Sequence, residues 1–160
     1  MAMDEFALER IRISYRDAHR GQRDAVDAKR VFEVDFAEGS EFLEKVSLLH
    51  ESDKRLVLLA VERILPSSRE TLLQDSWLKD LGSGLYELRV GPTRFKAAKR
   101  AGHDLSEAVN AALLFRIFCA YEFDGYVTVL GCYDKTTDRR RERQKDEIEF
   151  ARKQLERAKS

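Results

Sequence analysis

Two arginines stand inside the most strand-like segments of this chain. Arg89 lies in "GLYELRV" and Arg116 lies in "LFRIFCAYEF", each among apolar residues. A guanidinium group stays charged at any working pH, and its planar fork can hold two phosphate oxygens. Because an isolated guanidinium is very costly to bury, each arginine must reach water, a carboxylate or a phosphate. The alternatives are therefore an anion site, an ion pair with Glu87 or Glu122, or a side chain that extends to solvent.

Tyr133 and Lys135 follow in "GCYDKTT", at the end of another strand-like run. A tyrosine phenol, with a pKa of about 10, serves as an acid more readily than as a base, and nearby arginines would lower that pKa. Lys135 can hold a phosphate as a point charge, and Asp134 is expected to pair with Lys135 or orient an arginine. The structural alternatives are a ring packed on a terminal helix for Tyr133 and a solvated lysine for Lys135.

The other reactive side chains do not suggest a metal or thiol site. Cys119 and Cys132, the two cysteines, form no CxxC pair and are expected to be small core residues. The three histidines, His103 among them, are expected at the surface. We therefore predict that the chain uses neither a metal nor a cofactor.

Composition limits the classes of partner. The 160 residues are 43% hydrophobic, enough for one domain with a core, and the formal net charge is zero. A neutral chain argues against nucleic-acid binding, which usually goes with a basic excess. Residues 135–160 nevertheless hold ten Lys and Arg against six Asp and Glu. Within them, Arg139, Arg140 and Arg141 form a run that either binds RNA phosphates or is a solvated helix face.

The chain is expected in the cytoplasm. Its first residues, "MAMDEFALERIRISYRD", lack the basic start and apolar run of a secretory leader. No apolar stretch approaches the roughly 20 residues that span a bilayer. We therefore predict no membrane association and reduced thiols.

Apolar periodicity predicts the elements that position these residues. Alternation in "VFEVDF" predicts a short edge strand, and helical spacing predicts a helical hairpin between residues 38 and 65. A loop is predicted over residues 66–80, and a last helix with a narrow apolar stripe begins after Thr137. Because helices and strands are grouped, the fold class is α+β with a mainly antiparallel sheet.

A hairpin is predicted to bring two of the candidates together. Asp124-Gly125 joins the β-rich runs 115–122 and 126–133, and Asp-Gly favours a two-residue type I′ turn. In that register Arg116 faces Tyr133. The strand 85–90 is expected in the same sheet, so that Arg89, Arg116 and Tyr133 would share one solvent-accessible groove.

Two segments are predicted to lie outside the core. Residues 1–30 are polar and rich in Arg, Asp and Ala, which suggests a helical appendage. Residues 91–113 are long for a strand connection and have helical composition after His103, which suggests an insertion with a short helix. The remaining domain spans residues 31–160.

The order of four segments, "LKDLGSGLYELRV", "FRIFC", "YVTVLGCYDKTT" and "EIEFARKQLE", resembles the RelE/HigB-like toxin superfamily, in particular its phage-derived HigB-like branch. The resemblance covers residues 31–157, and "GLYELR" is its most specific part. It implies a RelE-like fold, in which a helical hairpin and a C-terminal helix pack on a small, mainly antiparallel sheet. The sequence departs from the family at the insertion 91–113, in its neutral charge, and after Tyr133, where only Lys135 stands instead of His and a second Lys.

The resemblance also implies a function. Family members are toxins of toxin–antitoxin pairs, and many cleave mRNA in the ribosomal A site without a metal. The partners would be a cognate antitoxin and mRNA on the ribosome, and the catalytic residues would be Arg89, Arg116, Tyr133 and Lys135. A second hypothesis is a relative that has lost catalysis and acts by binding an antitoxin or another protein. The neutral charge and the altered "GCYDK" segment favour this second hypothesis.

Overall fold

Five strands form one mixed sheet in the order β1-β5-β4-β3-β2. The computed structural model describes residues 31–92, 113–122 and 124–159. The strands are β1 (Glu33–Phe36), β2 (Leu78–Gly82), β3 (Leu85–Val90), β4 (Phe115–Tyr121) and β5 (Tyr126–Asp134). The helices are α1 (Phe42–Ser47), α2 (Glu51–Leu59), α3 (Arg69–Gln74) and α4 (Arg141–Lys159), and α2 continues into a π-helical turn, Ala60–Ile64. The α+β class is confirmed.

The pairing of the strands agrees with most of the predicted sheet. Strands β2 to β5 pair antiparallel, so the three predicted strands 85–90, 115–122 and 126–133 are neighbours. Strand β1 lies at the edge, as predicted, and pairs with β5 in parallel. The predicted appendage, residues 1–30, and residues 93–112 of the predicted insertion lie outside the described residues.

The predicted loop over residues 66–80 is wrong, because α3 and the start of β2 occupy it. Leu72, Trp77 and Leu78 are buried and anchor both elements in the core. The backbone N–H of Trp77 donates to the Leu72 carbonyl at 2.9 Å, just after α3 ends. Elements this short contain too few apolar residues to show a periodic pattern, so tertiary burial decides them.

The predicted register of the β4–β5 hairpin holds from Phe115 to Phe118, but it is wrong by one residue nearer the turn. Arg116 pairs with Tyr133, whereas nearer the turn Tyr121 pairs with Val127. The backbone N–H of Glu122 donates to the Tyr126 carbonyl, so three positions rather than two separate the paired residues. Gly125 has a φ of 86°, as in three-residue hairpins that end in a left-handed glycine. Leu130 is an extra residue of β5 between paired positions, and this bulge restores the predicted register beyond it.

The sheet separates two apolar clusters. The larger lies against α1, α2 and α3 and the smaller lies under α4. Along β4, Phe115, Ile117 and Cys119 belong to the larger cluster, while Phe118 and Ala120 face α4. By the same alternation Arg116 lies on the α4 side.

Both cysteines are core residues, as predicted. Cys119 and Cys132 are fully buried within the larger cluster. Burial raises the pKa of both thiols, that of Cys132 to about 12. Both thiols therefore stay protonated and unreactive near neutral pH.

Gly39 gives a first test of how α4 docks on the sheet. A Cβ atom at this position would lie 3.0 Å from the Gln154 Cδ, and the Gln154 Nε2 donates to the Gly39 carbonyl at 3.2 Å. Gly39→Ala is therefore expected to displace the end of the Gln154 side chain and lower the free energy of unfolding by about 0.5–1.5 kcal/mol, the net contribution of the hydrogen bond that is lost. Urea unfolding measures the change. When Gln154 is already replaced by alanine, the new methyl group at residue 39 meets no side chain, so Gly39→Ala should lower the free energy of unfolding less. Equal losses in the two backgrounds would show that Gln154 does not cause the effect.

Candidate functional site

Three of the four predicted catalytic residues form a row across adjacent strands. Arg89 of β3 pairs with Arg116 of β4, and Arg116 pairs with Tyr133 of β5. Residues paired in this way have Cβ atoms roughly 4.5–5.5 Å apart. Lys135 follows just beyond β5, where its backbone N–H donates to the Leu114 carbonyl at 2.8 Å. Sheet register thus brings the predicted residues together.

A buried carboxylate lies beside this row. Glu87 is fully buried, and its Oε1 lies 3.3 Å from the Arg89 Nε and 3.8 Å from the Arg116 Nε. Its Oε2 accepts a hydrogen bond of 3.1 Å from the Gln144 Nε2 of α4. Of the two predicted carboxylate partners, Glu87 is the one that pairs with the arginines, since Glu122 instead accepts a bond from the Thr128 hydroxyl.

Helix α4 covers much of the row. The Arg89 side chain is 31% exposed, the Arg116 side chain is 10% exposed and Tyr133 is 1% exposed. The Arg143 Cζ lies 5.9 Å from the centroid of the Tyr133 ring, and the Phe118 ring stacks on that ring from within the sheet. The predicted groove, open to solvent at all three residues, is therefore wrong, because Tyr133 packs in the cluster under α4.

Burial sets the proton affinities of the site. Burial raises the pKa of Tyr133, and the negative charge of Glu87 raises it further. The prediction that the arginines lower this pKa is therefore wrong, because their effect is smaller than these two. Burial also lowers the pKa of Arg116. The pKa of Lys135 is lowered, first by burial and then by the positive charge of Arg116. Of the two candidate proton-transfer groups, Lys135 is thus the one whose pKa is shifted toward neutral pH, whereas that of Tyr133 is shifted away from it.

Two buried donors of the row make no hydrogen bond within the described part of the chain. They are the Arg116 Nε and the Tyr133 hydroxyl. A buried polar group without a partner costs about 1–3 kcal/mol. The Arg116 Nε lies 3.8 Å from the Glu87 carboxylate, so the Tyr133 hydroxyl is the donor of this pair that an anion could use.

A network beside Tyr133 holds α4 to the rest of the fold. Glu147 accepts from the Arg143 Nε at 2.9 Å and pairs with the Lys45 Nζ of α1 at 3.2 Å. The same Nζ donates to the Cys132 carbonyl of β5 at 2.7 Å. Sequence reasoning placed Arg143 only in the basic run that begins at Arg139, as a candidate RNA contact, and did not single out Gln144, which precedes the apolar stripe of α4 and has an ordinary surface type.

The basic run lies at the start of α4. Arg139 and Arg141 are exposed, while Arg140 pairs with Asp138 at 2.9 Å. Hydrogen bonds from Arg140 hold the pKa of Asp138 at about 2. Asp134 accepts a bond from the Thr136 backbone N–H.

A cavity of about 510 Å³ lies elsewhere, between the end of β1 and the last turns of α4. Asp35, Glu38 and Glu122 are among its lining residues, and none of the four predicted catalytic residues lines it. Within the described residues, no group of three or more His, Cys, Asp or Glu is placed to hold a metal ion. Nor is any helix of that part of the chain long and apolar enough to cross a bilayer.

Fold and site together define an α+β protein with a buried cluster of arginines and a carboxylate between its sheet and its last helix. The chain matches no protein-family model, no curated protein and no solved structure.

Proposed function

We propose that this chain is the toxin of a toxin–antitoxin pair, with a RelE/HigB-like fold, and acts as a ribosome-dependent, metal-independent mRNA endonuclease. The observation that carries the proposal is the cross-strand row, with Arg89 beside Arg116 and Tyr133 next to it. Adjacent strands lie about 4.8 Å apart, so both guanidinium groups can reach oxygens of one phosphate. The quoted sequence segments support the same class of protein.

Metal-free RNA cleavage needs a base for the 2′-hydroxyl, cations for the charged phosphorane and an acid for the leaving oxygen. Arg89 and Arg116 supply the cations. Lys135 is the accessible proton-transfer group, since its lowered pKa gives it a larger neutral fraction than an ordinary lysine. Its neutral amine takes the proton of the 2′-hydroxyl, and the ammonium so formed gives a proton to the leaving 5′-oxygen. Tyr133 keeps its proton and offers its hydroxyl as a donor.

The substrate reaches Arg116 and Tyr133 only if the first turns of α4 move. Arg143 and Gln144 are the α4 residues that lie against Tyr133 and Glu87. Under this proposal α4 shifts as RNA binds, in the cytoplasm and on the ribosome, and the antitoxin prevents that encounter. Arg139 and Arg141 are exposed at the start of the same helix and would contact RNA phosphates.

A specific observation favours a second candidate, a binding module without catalysis. Glu87 is fully buried against both arginines, and Tyr133 is almost completely buried. In this alternative the row only stabilises the sheet, and the protein acts by binding an antitoxin or another protein.

Induced expression of the full chain separates the two candidates. We expect growth to slow and new mRNA 5′ ends to appear within translated codons, mapped by end sequencing and absent when translation initiation is blocked. Uninduced cells are the control. A folded chain that neither slows growth nor produces such ends would reject the nuclease and leave the binding module.

A further inference from the structure

We propose that Glu87 is a positioning residue of this site, which aligns Arg89 and Arg116 on a single RNA phosphate. The inference rests on the proposed function above. Its basis is one fully buried carboxylate that lies within 3.8 Å of the Nε atoms of both arginines.

The atoms involved suit a positioning role. The shortest contact of Glu87 with each arginine is to the Nε atom, a hydrogen bond of 3.3 Å for Arg89 and an ion pair of 3.8 Å for Arg116. A guanidinium group approached at its Nε keeps its terminal nitrogens for another partner, such as two phosphate oxygens. For Arg116 one of these, Nη1, donates to the Phe115 carbonyl at 3.3 Å. Glu87 therefore restrains both side chains without using all of their phosphate-binding atoms.

The surrounding charges leave the cluster positive. Arg89, Arg116 and Lys79 all act on Lys135 to lower its pKa, and Glu87 is the carboxylate that opposes them. Four cations with one carboxylate retain a positive surplus that favours an anion. The carboxylate thus orients the cations without cancelling them.

The position of Glu87 is also unexpected for a residue that only packs. Glu87 lies on the face of the sheet that α4 covers. Its neighbours on that face include Phe118, its partner on β4, and Leu85, two positions earlier on β3, and both belong to the cluster under α4. A well-packed apolar residue at such a buried site is often neutral or stabilising relative to an ion pair. A carboxylate at this position therefore indicates a role in orienting the arginines.

Glu87→Gln tests the proposal, because glutamine keeps the shape of the side chain and removes its charge. We expect kcat for ribosome-bound mRNA to fall about tenfold, as when a residue that orients a functional group is lost. KM should not rise, because the positive surplus grows. The ¹⁵N NMR signals of the Arg89 and Arg116 Nε–H groups should shift and exchange faster with water. A solely structural role would leave kcat and KM of the folded fraction unchanged.

The outcomes are separable. Wild-type cleavage together with unchanged kcat and KM in folded Glu87→Gln would overturn the positioning role and leave the proposed function. If the wild-type chain does not cleave mRNA, the proposed function is rejected. If, in addition, the Nε–H signals of Arg89 and Arg116 are unchanged in Glu87→Gln, Glu87 does not restrain the two arginines either. If Glu87→Gln does not fold, Glu87→Asp keeps the charge but withdraws the carboxylate by one methylene. Glu87→Asp should still lower kcat and shift the Nε–H signals of both arginines. A kcat and Nε–H signals equal to those of the wild type would reject the proposal.

Discussion

Arg116→Ala is expected to lower the free energy of unfolding by about 1–3 kcal/mol, because the buried Glu87 carboxylate loses one of its two cationic partners. Glu87 is fully buried and the Arg116 side chain is only 10% exposed. Removal of the guanidinium leaves a desolvated carboxylate with Arg89 and Gln144 as its remaining partners. Urea unfolding followed by circular dichroism at neutral pH measures the loss.

Two controls assign that loss to charge. The Arg89 side chain is 31% exposed, so water can replace it and Arg89→Ala should cost less than Arg116→Ala. In a Glu87→Gln background no buried carboxylate is left unpaired, so Arg116→Ala should cost less there than in the wild type. The same cost in both backgrounds would show that lost packing, and not the ion pair, causes the instability.

Under the proposed nuclease function, Arg89→Ala is expected to slow mRNA cleavage more than a hundredfold while the melting temperature changes little. Loss of a transition-state contact of about 3 kcal/mol gives this factor. Arg89 is the more exposed guanidinium of the row, so its removal separates catalysis from stability better than that of Arg116. The measurement is cleavage of a defined mRNA on purified ribosomes by the folded variant.

A matched arginine on the other side of the sheet controls for charge. The Arg69 side chain is 40% exposed, and its guanidinium lies over the Tyr86 and Tyr121 rings, which pack against the larger cluster. Arg69→Ala removes the same charge away from the row and should leave cleavage unchanged. Full cleavage by Arg89→Ala alongside an active wild type would remove Arg89 from the site.

Local sequence signals were sufficient to predict the three central strands and to predict that Arg89, Arg116 and Tyr133 lie side by side across them. Alternating apolar residues and the Asp124-Gly125 pair predicted that Arg116 faces Tyr133, as the structure confirms. The predicted turn is nevertheless wrong, and the register holds only because the bulge at Leu130 offsets the longer loop. A leucine in a strand carries no local sign of a bulge, so this compensation was not predictable.

Tertiary packing decided what the row contacts. Gln144 reaches Glu87 from 57 positions along the chain. Helix α4 buries Tyr133, for which the sequence left two alternatives, a solvent-accessible groove and packing on the terminal helix. The strand and turn signals extend over a few residues, because they reflect backbone preferences and alternation of side chains. The docking of a helix depends on apolar area and on charges contributed by distant segments. The positions of the arginines, and Glu87 as one of two candidate partners for them, were thus readable from the chain, whereas their burial came from the packing of α4 on the sheet.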